Sequence, residues 1–75
     1  MNEKAKEILK KVFVSYSDGE DICTLKMPQG SQIHDFNMAL KELTEKGFIT
    51  INKKNLCNAE IILTDLGLEF CMDLY

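Results

Sequence analysis

The chain has 75 residues, 45% of them hydrophobic, with one Pro and four Gly, a composition that folds around one small core and leaves too little chain for a second. Nine lysines, no arginine and twelve acids give a net charge of −3, so the global field repels nucleic acid and the commonest bidentate reader of guanine is missing. The charged opening MNEKAKEILK is unlike a secretory signal, and no apolar run is long enough to cross a bilayer; the expectation is one soluble, cytoplasmic domain over 1–75 with no membrane partner.

Apolar residues at Ala5, Ile8, Leu9, Val12, Phe13 and Tyr16 form one helical stripe, which predicts a first helix from about Glu3 to Val14. The turn residues of SYSDG, 15–19, are expected to stop it. The next stretch, EDICTLKMPQGS, reads two ways. A short helix capped by Asp18 would turn Ile22 and Leu25 inward, whereas a strand would set Cys23, Leu25 and Met27 on one side. Pro28 ends either element and Gly30 supplies a turn.

Ser31 is a favourable cap for a second helix, which presents Ile33, Phe36, Ala39, Leu40 and Leu43 on one face and closes at Lys46-Gly47. Phe48-Ile49-Thr50-Ile51 and EIILT then predict a hairpin over 48–64, with a loose tip from Asn52 to Ala59. Thr64 and Asp65 stand where a cap and a first-turn acid belong, and Leu66, Phe70 and Leu74 make the stripe of a last helix. The predicted core is Ile8, Leu9, Val12, Phe13, Phe36, Leu40, Leu43, Phe48, Ile49, Ile51, Ile62, Leu66 and Phe70.

Helix, short element, glycine turn, helix, hairpin, helix is the order of a winged helix-turn-helix domain. Two segments carry that resemblance: ALKELTEKGFI, 39–49, looks like the end of a recognition helix and the entry to a wing, and IILTDLG, 61–67, is similar to a wing exit. Both resemble small bacterial regulators of the MarR, PadR and YjcQ-like kinds. The resemblance covers roughly residues 20 to 70 and implies an α+β fold of three to four helices with a wing of two or three antiparallel strands.

What it implies about function is DNA binding, as a transcriptional or mobile-element regulator. Gln32, His34, Asn37 and Lys41 would then lie on the reading helix and Lys53 and Lys54 on the wing. Residues 32 to 46 hold Lys41 and Lys46 against Asp35, Glu42 and Glu45, a face of charge −1 where phosphate favours a positive one. Four lysines in residues 3 to 14, against two glutamates, offer a compensating rim if the first helix and the wing flank the site.

The other reading is a winged interaction module whose acidic helix and exposed methionines meet a protein. Met27, Met38, Met72 and Tyr75 fall near element ends, where small domains leave apolar surface. Met38 is then a partner contact, and Phe70, Met72, Leu74 and Tyr75 are the contacts of a homodimer formed through the last helix.

Chemistry of other kinds is not expected. His34 stands beside Asp35 and after Ser31, but helix neighbours point apart, so no catalytic set forms and no enzyme is predicted. Cys23, Cys57 and Cys71 lack the close pairing of zinc ligands, and no phosphate-cradling glycine motif is present, which leaves no metal or cofactor to expect. The cysteines read as free thiols, mostly buried, with Cys57 in the wing loop the one exposed to oxidation.

Overall fold

The computed structural model describes residues 2–74. The first helix, α1, spans Glu3–Ser17 and is capped by Asn2, whose side chain accepts from the Ala5 amide at 2.9 Å. It runs three residues past the expected stop because the chain leaves it only at Gly19, where φ is +93°. A side chain is disfavoured in that conformation, so the glycine and not the serines sets the end. Ala5, Ile8, Leu9 and Val12 are buried, and Tyr16 at the far end of the stripe is exposed.

A strand, β1, follows at Cys23–Lys26 and settles the ambiguous stretch. Cys23 and Met27 are buried and Leu25 half-buried, while Thr24 and Lys26 face solvent. Met27, expected on the surface, is part of the core because this alternation turns it inward.

The second helix, α2, spans Gln32–Glu45 and buries Phe36, Ala39, Leu40 and Leu43. Ser31 does not cap it. Its backbone is already helical and its side chain makes no capping bond; the first turn instead closes from the Ile33 amide to the Gly30 carbonyl at 3.3 Å. The other end is as anticipated: Gly47 has φ +78°, its amide donates to Thr44, and the Phe48 amide donates to Leu43. Those two bonds satisfy carbonyls that a helix end leaves open.

The wing is tighter than the sequence suggests. Strands β2, Ile49–Lys54, and β3, Asn58–Leu63, leave only residues 55–57 as a turn. Asn55 holds it, its side-chain oxygen accepting from the amides of Cys57 and Asn58, both at 2.8 Å. The inward residues of β3 are Ala59, Ile61 and Leu63. Ile62, expected in the core, lies half-buried on the opposite face, because a shift of one residue in a strand exchanges its faces.

The last helix, α3, spans Asp65–Leu74, and Thr64 accepts from the Gly67 amide at 3.0 Å in the capping role foreseen for it. Its packing face differs from the expected stripe. Gly67 and Cys71 are buried, Leu66 and Leu74 are exposed, and Phe70 stacks on Phe48 with ring centroids 4.5 Å apart. Gly67 is the cause: its bare Cα lets α3 approach the Phe48 carbonyl, and a Cβ there would collide with that oxygen and come within 2.9 Å of Leu63. The face that can approach most closely becomes the inner face.

The three strands form one antiparallel sheet in the order β1-β3-β2. A single buried cluster joins α1 and α2 to the inner residues of β1, β2 and β3 and to Cys71 of α3. The chain is thus α+β, with three helices and a three-stranded antiparallel sheet arranged like a winged helix. Strand β1 stands between α1 and α2, so the two helices are not joined by the short turn of a compact helix-turn-helix.

Candidate nucleic-acid interface

The burial of Phe36, Ala39, Leu40 and Leu43 fixes which way α2 faces outward. Gln32, His34, Asp35, Met38, Lys41 and Glu45 are exposed. Lys41 lies 4.0 Å from Glu45, with both side chains mostly in water, so the pair is easily opened and holds the lysine only weakly. His34 shares no hydrogen bond with Ser31 or Asp35 among the described residues.

Asn37 is not on the same face as Gln32. It is half-buried in a cleft of about 420 Å³ between α2 and the wing tip, lined with Met27, Ile33, Lys54, Asn55 and Leu56. Its side-chain oxygen is buried with no hydrogen-bond partner among the described residues. The same holds for one carboxylate oxygen of the half-buried Glu42.

The lysines converge on the amino end of α2 from two sides. On one side Lys4 borders a hollow with Gln32, Asp35 and Met38, and a second hollow edged by Lys4, Lys11 and Lys26 reaches Phe36. On the other side Lys54 lines the cleft with Ile33 and Asn37. Lys53 and Lys54 are both exposed on β2. Lys26 is a member that inspection of the chain missed, since nothing in TLKMP indicates which helix it will lie beside.

Leu56 was missed as well. It is 91% exposed at the tip of the wing, between Asn55 and Cys57. An apolar residue inside the polar turn NKKNLCN is the signal that could have found it. Cys57 is exposed, as expected, and Cys23 and Cys71 are buried. Burial pushes the Cys71 thiol above its ordinary pKa by disfavouring the thiolate.

Of the residues anticipated at a partner surface, Met38 is 52% and Met72 67% exposed, and Leu74 is also exposed. Phe70 is largely committed to Phe48 within the chain. Tyr75 lies outside the described residues. No family model matches the chain, nor does any curated protein or solved structure.

Proposed function

We propose that the chain binds double-stranded DNA through the amino half of α2, as a winged helix regulator of transcription or of a mobile element. The observation that carries the reading is the placement of lysine on both flanks of that helix end, Lys4 with Lys11 and Lys26 on one side and Lys54 on the other. A helix entering the major groove meets bases with its first turns and phosphates with its flanks. Gln32 and His34 are exposed near that end, with Lys41 about two turns further on. These cations stand beside a helix whose own charge is −1 by the count of Lys41 and Lys46 against Asp35, Glu42 and Glu45. Glu3 lines the same hollow as Lys4, and Lys11 lies 3.8 Å from Glu7. Lys26 and Lys54 are the members of the set with neither an ion pair nor an acid lining their hollows, among the described residues.

The test is a titration of isotopically labelled protein with a short mixed-sequence duplex at low salt, followed by NMR. Amide shifts gathered at residues 31–41, Lys4 and the wing, fading as salt rises, are the expected result. A spectrum that does not move at duplex concentrations up to about 1 mM, well above ordinary non-specific dissociation constants, overturns the reading.

One observation favours a second reading, a protein-interaction module. Met38 on α2 and Leu56 on the wing tip are both exposed, and Leu56 lines an apolar cleft rather than standing alone. On that reading the cleft receives an apolar side chain of a protein partner. Retention of such a partner by a Met38→Ser, Leu56→Ser double variant removes this surface from consideration.

A further inference from the structure

Because β3 lies in the middle of the sheet, β1 and β2 are both edge strands. Strand β2 carries the usual protections of an edge: a register shift between Ile51 and Lys53, and two consecutive exposed lysines. Strand β1 is four residues long and carries one exposed lysine, Lys26, but it pairs with β3 without a shift. It borders an open groove of about 360 Å³ formed with Lys10, Lys11 and Val14 of α1. An edge left in this state is a template for another strand.

Which backbone groups it offers follows from the ladder. The Met27 amide donates to the Cys57 carbonyl at 2.9 Å, and Leu25 and Cys23 stand opposite Ala59 and Ile61. In an antiparallel pair alternate residues bond to a given neighbour. Cys23, Leu25 and Met27 therefore bond to β3, and Thr24 and Lys26 point their N–H and C=O groups away from the sheet.

We infer that β1 pairs antiparallel with β1 of a second copy, across a two-fold axis at Thr24, joining the two sheets into one. The outward groups of one copy must bond those of the other, which allows a register centred on Cys23, on Thr24 or on Leu25. Centring on Cys23 would take Glu20, three residues before the strand, as the partner of Lys26. Centring on Leu25 would set Ile22 against Pro28, which has no N–H to give. Centring on Thr24 sets the two threonines opposite each other, a favourable cross-strand pair, and brings Ile22 alongside Lys26 of the partner.

Charge selects a second copy as the occupant. The strand is preceded by Asp18, Glu20 and Asp21 and ends in Lys26, beside the hollow of about 240 Å³ edged by Lys4, Lys11 and Lys26. Antiparallel self-pairing lays each acidic end over the other copy's lysine end, and does so twice. Ile22, exposed in the single chain, is covered in the same arrangement. The competing apolar surface on α3 has the opposite character: Leu66, Met72 and Leu74 are exposed there, but Asp65, Glu69 and Asp73 share the helix with no basic residue. A two-fold pairing of α3 would bring acid against acid.

Sedimentation equilibrium of the full chain, with circular dichroism to establish folding, tests the inference. The wild-type chain is expected to be a dimer that dissociates on dilution. Thr24→Pro removes an N–H that β3 does not use, and is expected to be a folded monomer. Lys26→Glu, which keeps the backbone intact, raises the dissociation constant about tenfold by replacing attraction with repulsion at two symmetric positions, and adding Glu20→Lys to it restores the dimer. A wild-type chain that is monomeric up to about 1 mM overturns the inference. So does a dimer that Lys26→Glu leaves unchanged, or one that Met72→Ser abolishes while folded Thr24→Pro retains it.

Discussion

The hydroxyl of Thr64 donates to the Gly47 carbonyl and, through the same oxygen, accepts from the Gly67 amide. One side chain therefore ties the end of α2 to the start of α3, 17 residues away in sequence. The Thr64 amide adds a bond to the Phe48 carbonyl at 3.1 Å. The two ends of the wing are held together at its base by this residue. Thr64→Val keeps the shape and removes both hydroxyl bonds, so it is expected to lower stability by about 2 kcal/mol, the loss of a helix cap and one further hydrogen bond. Thermal unfolding should show the midpoint falling by about 10 °C.

Gly67 makes the stronger prediction. Its Cβ would overlap the Phe48 carbonyl oxygen, a backbone atom fixed by the bond from Thr64. Gly67→Ala can be accommodated only if α3 moves off the wing base, and a loss of about 3 kcal/mol or more is expected from such overpacking. Gly47→Ala is milder, because a Cβ there meets Leu66 at an ordinary 3.5 Å and the cost lies in the φ of +78° alone, about 1 to 2 kcal/mol. Denaturant titration of the two variants should preserve that order.

The thiols separate by burial. Cys57 is exposed on the wing, Cys71 is fully buried, and Cys23 is buried with its sulfur accepting from the Ser15 hydroxyl at 3.3 Å. A thiol reagent at neutral pH should label Cys57 of the native chain promptly, and Cys23 and Cys71 only as fast as the chain opens, because a buried sulfur is out of the reagent's reach. Prompt labelling of Cys71 would contradict its position. The same raised pKa links to stability: the folded state favours the neutral thiol, so the contribution is complete below the ordinary thiol pKa and is lost as pH rises through the folded value.

For DNA binding, Lys4→Ala and Lys54→Ala should each weaken affinity for any duplex sequence and each lower the salt dependence by about one phosphate contact. Gln32→Ala should instead alter preference among sequences with little change in the salt slope. Fluorescence anisotropy across a salt series distinguishes the two patterns. Lys46→Ala, at the opposite end of α2, serves as the comparison and should change neither.

Leu56→Ser tests the wing tip independently of the fold. With 91% of the residue exposed, its replacement should leave stability within about 0.5 kcal/mol. Any effect on binding then belongs to the tip itself, and a large change in the unfolding midpoint would mean that Leu56 packs where the fold leaves it open.

The three helices, the hairpin and their order were legible in the residues because each helix carries apolar residues at helical spacing and the hairpin is two β-rich runs about a polar turn. The stripe of α1, the glycine end of α2 and the Thr64 cap are local facts, set by periods and by hydrogen bonds to near neighbours. Which face of β3 and of α3 turns inward was not local. A strand such as EIIL has apolar residues on both faces, and only its pairing with β1 and β2 makes Ala59, Ile61 and Leu63 the buried set. On α3 the apolar stripe pointed to Leu66, yet the closest approach belongs to Gly67, since a helix packs by the side that allows the shortest distance. The strand at 23–26 is another case: four residues carry too short a period to declare themselves, and hydrogen bonds from β3 decide for them. The juxtaposition of Lys4, Lys26 and Lys54 around the amino end of α2 belongs to the same class, because it joins α1, β1 and the wing across separations that no local pattern encodes.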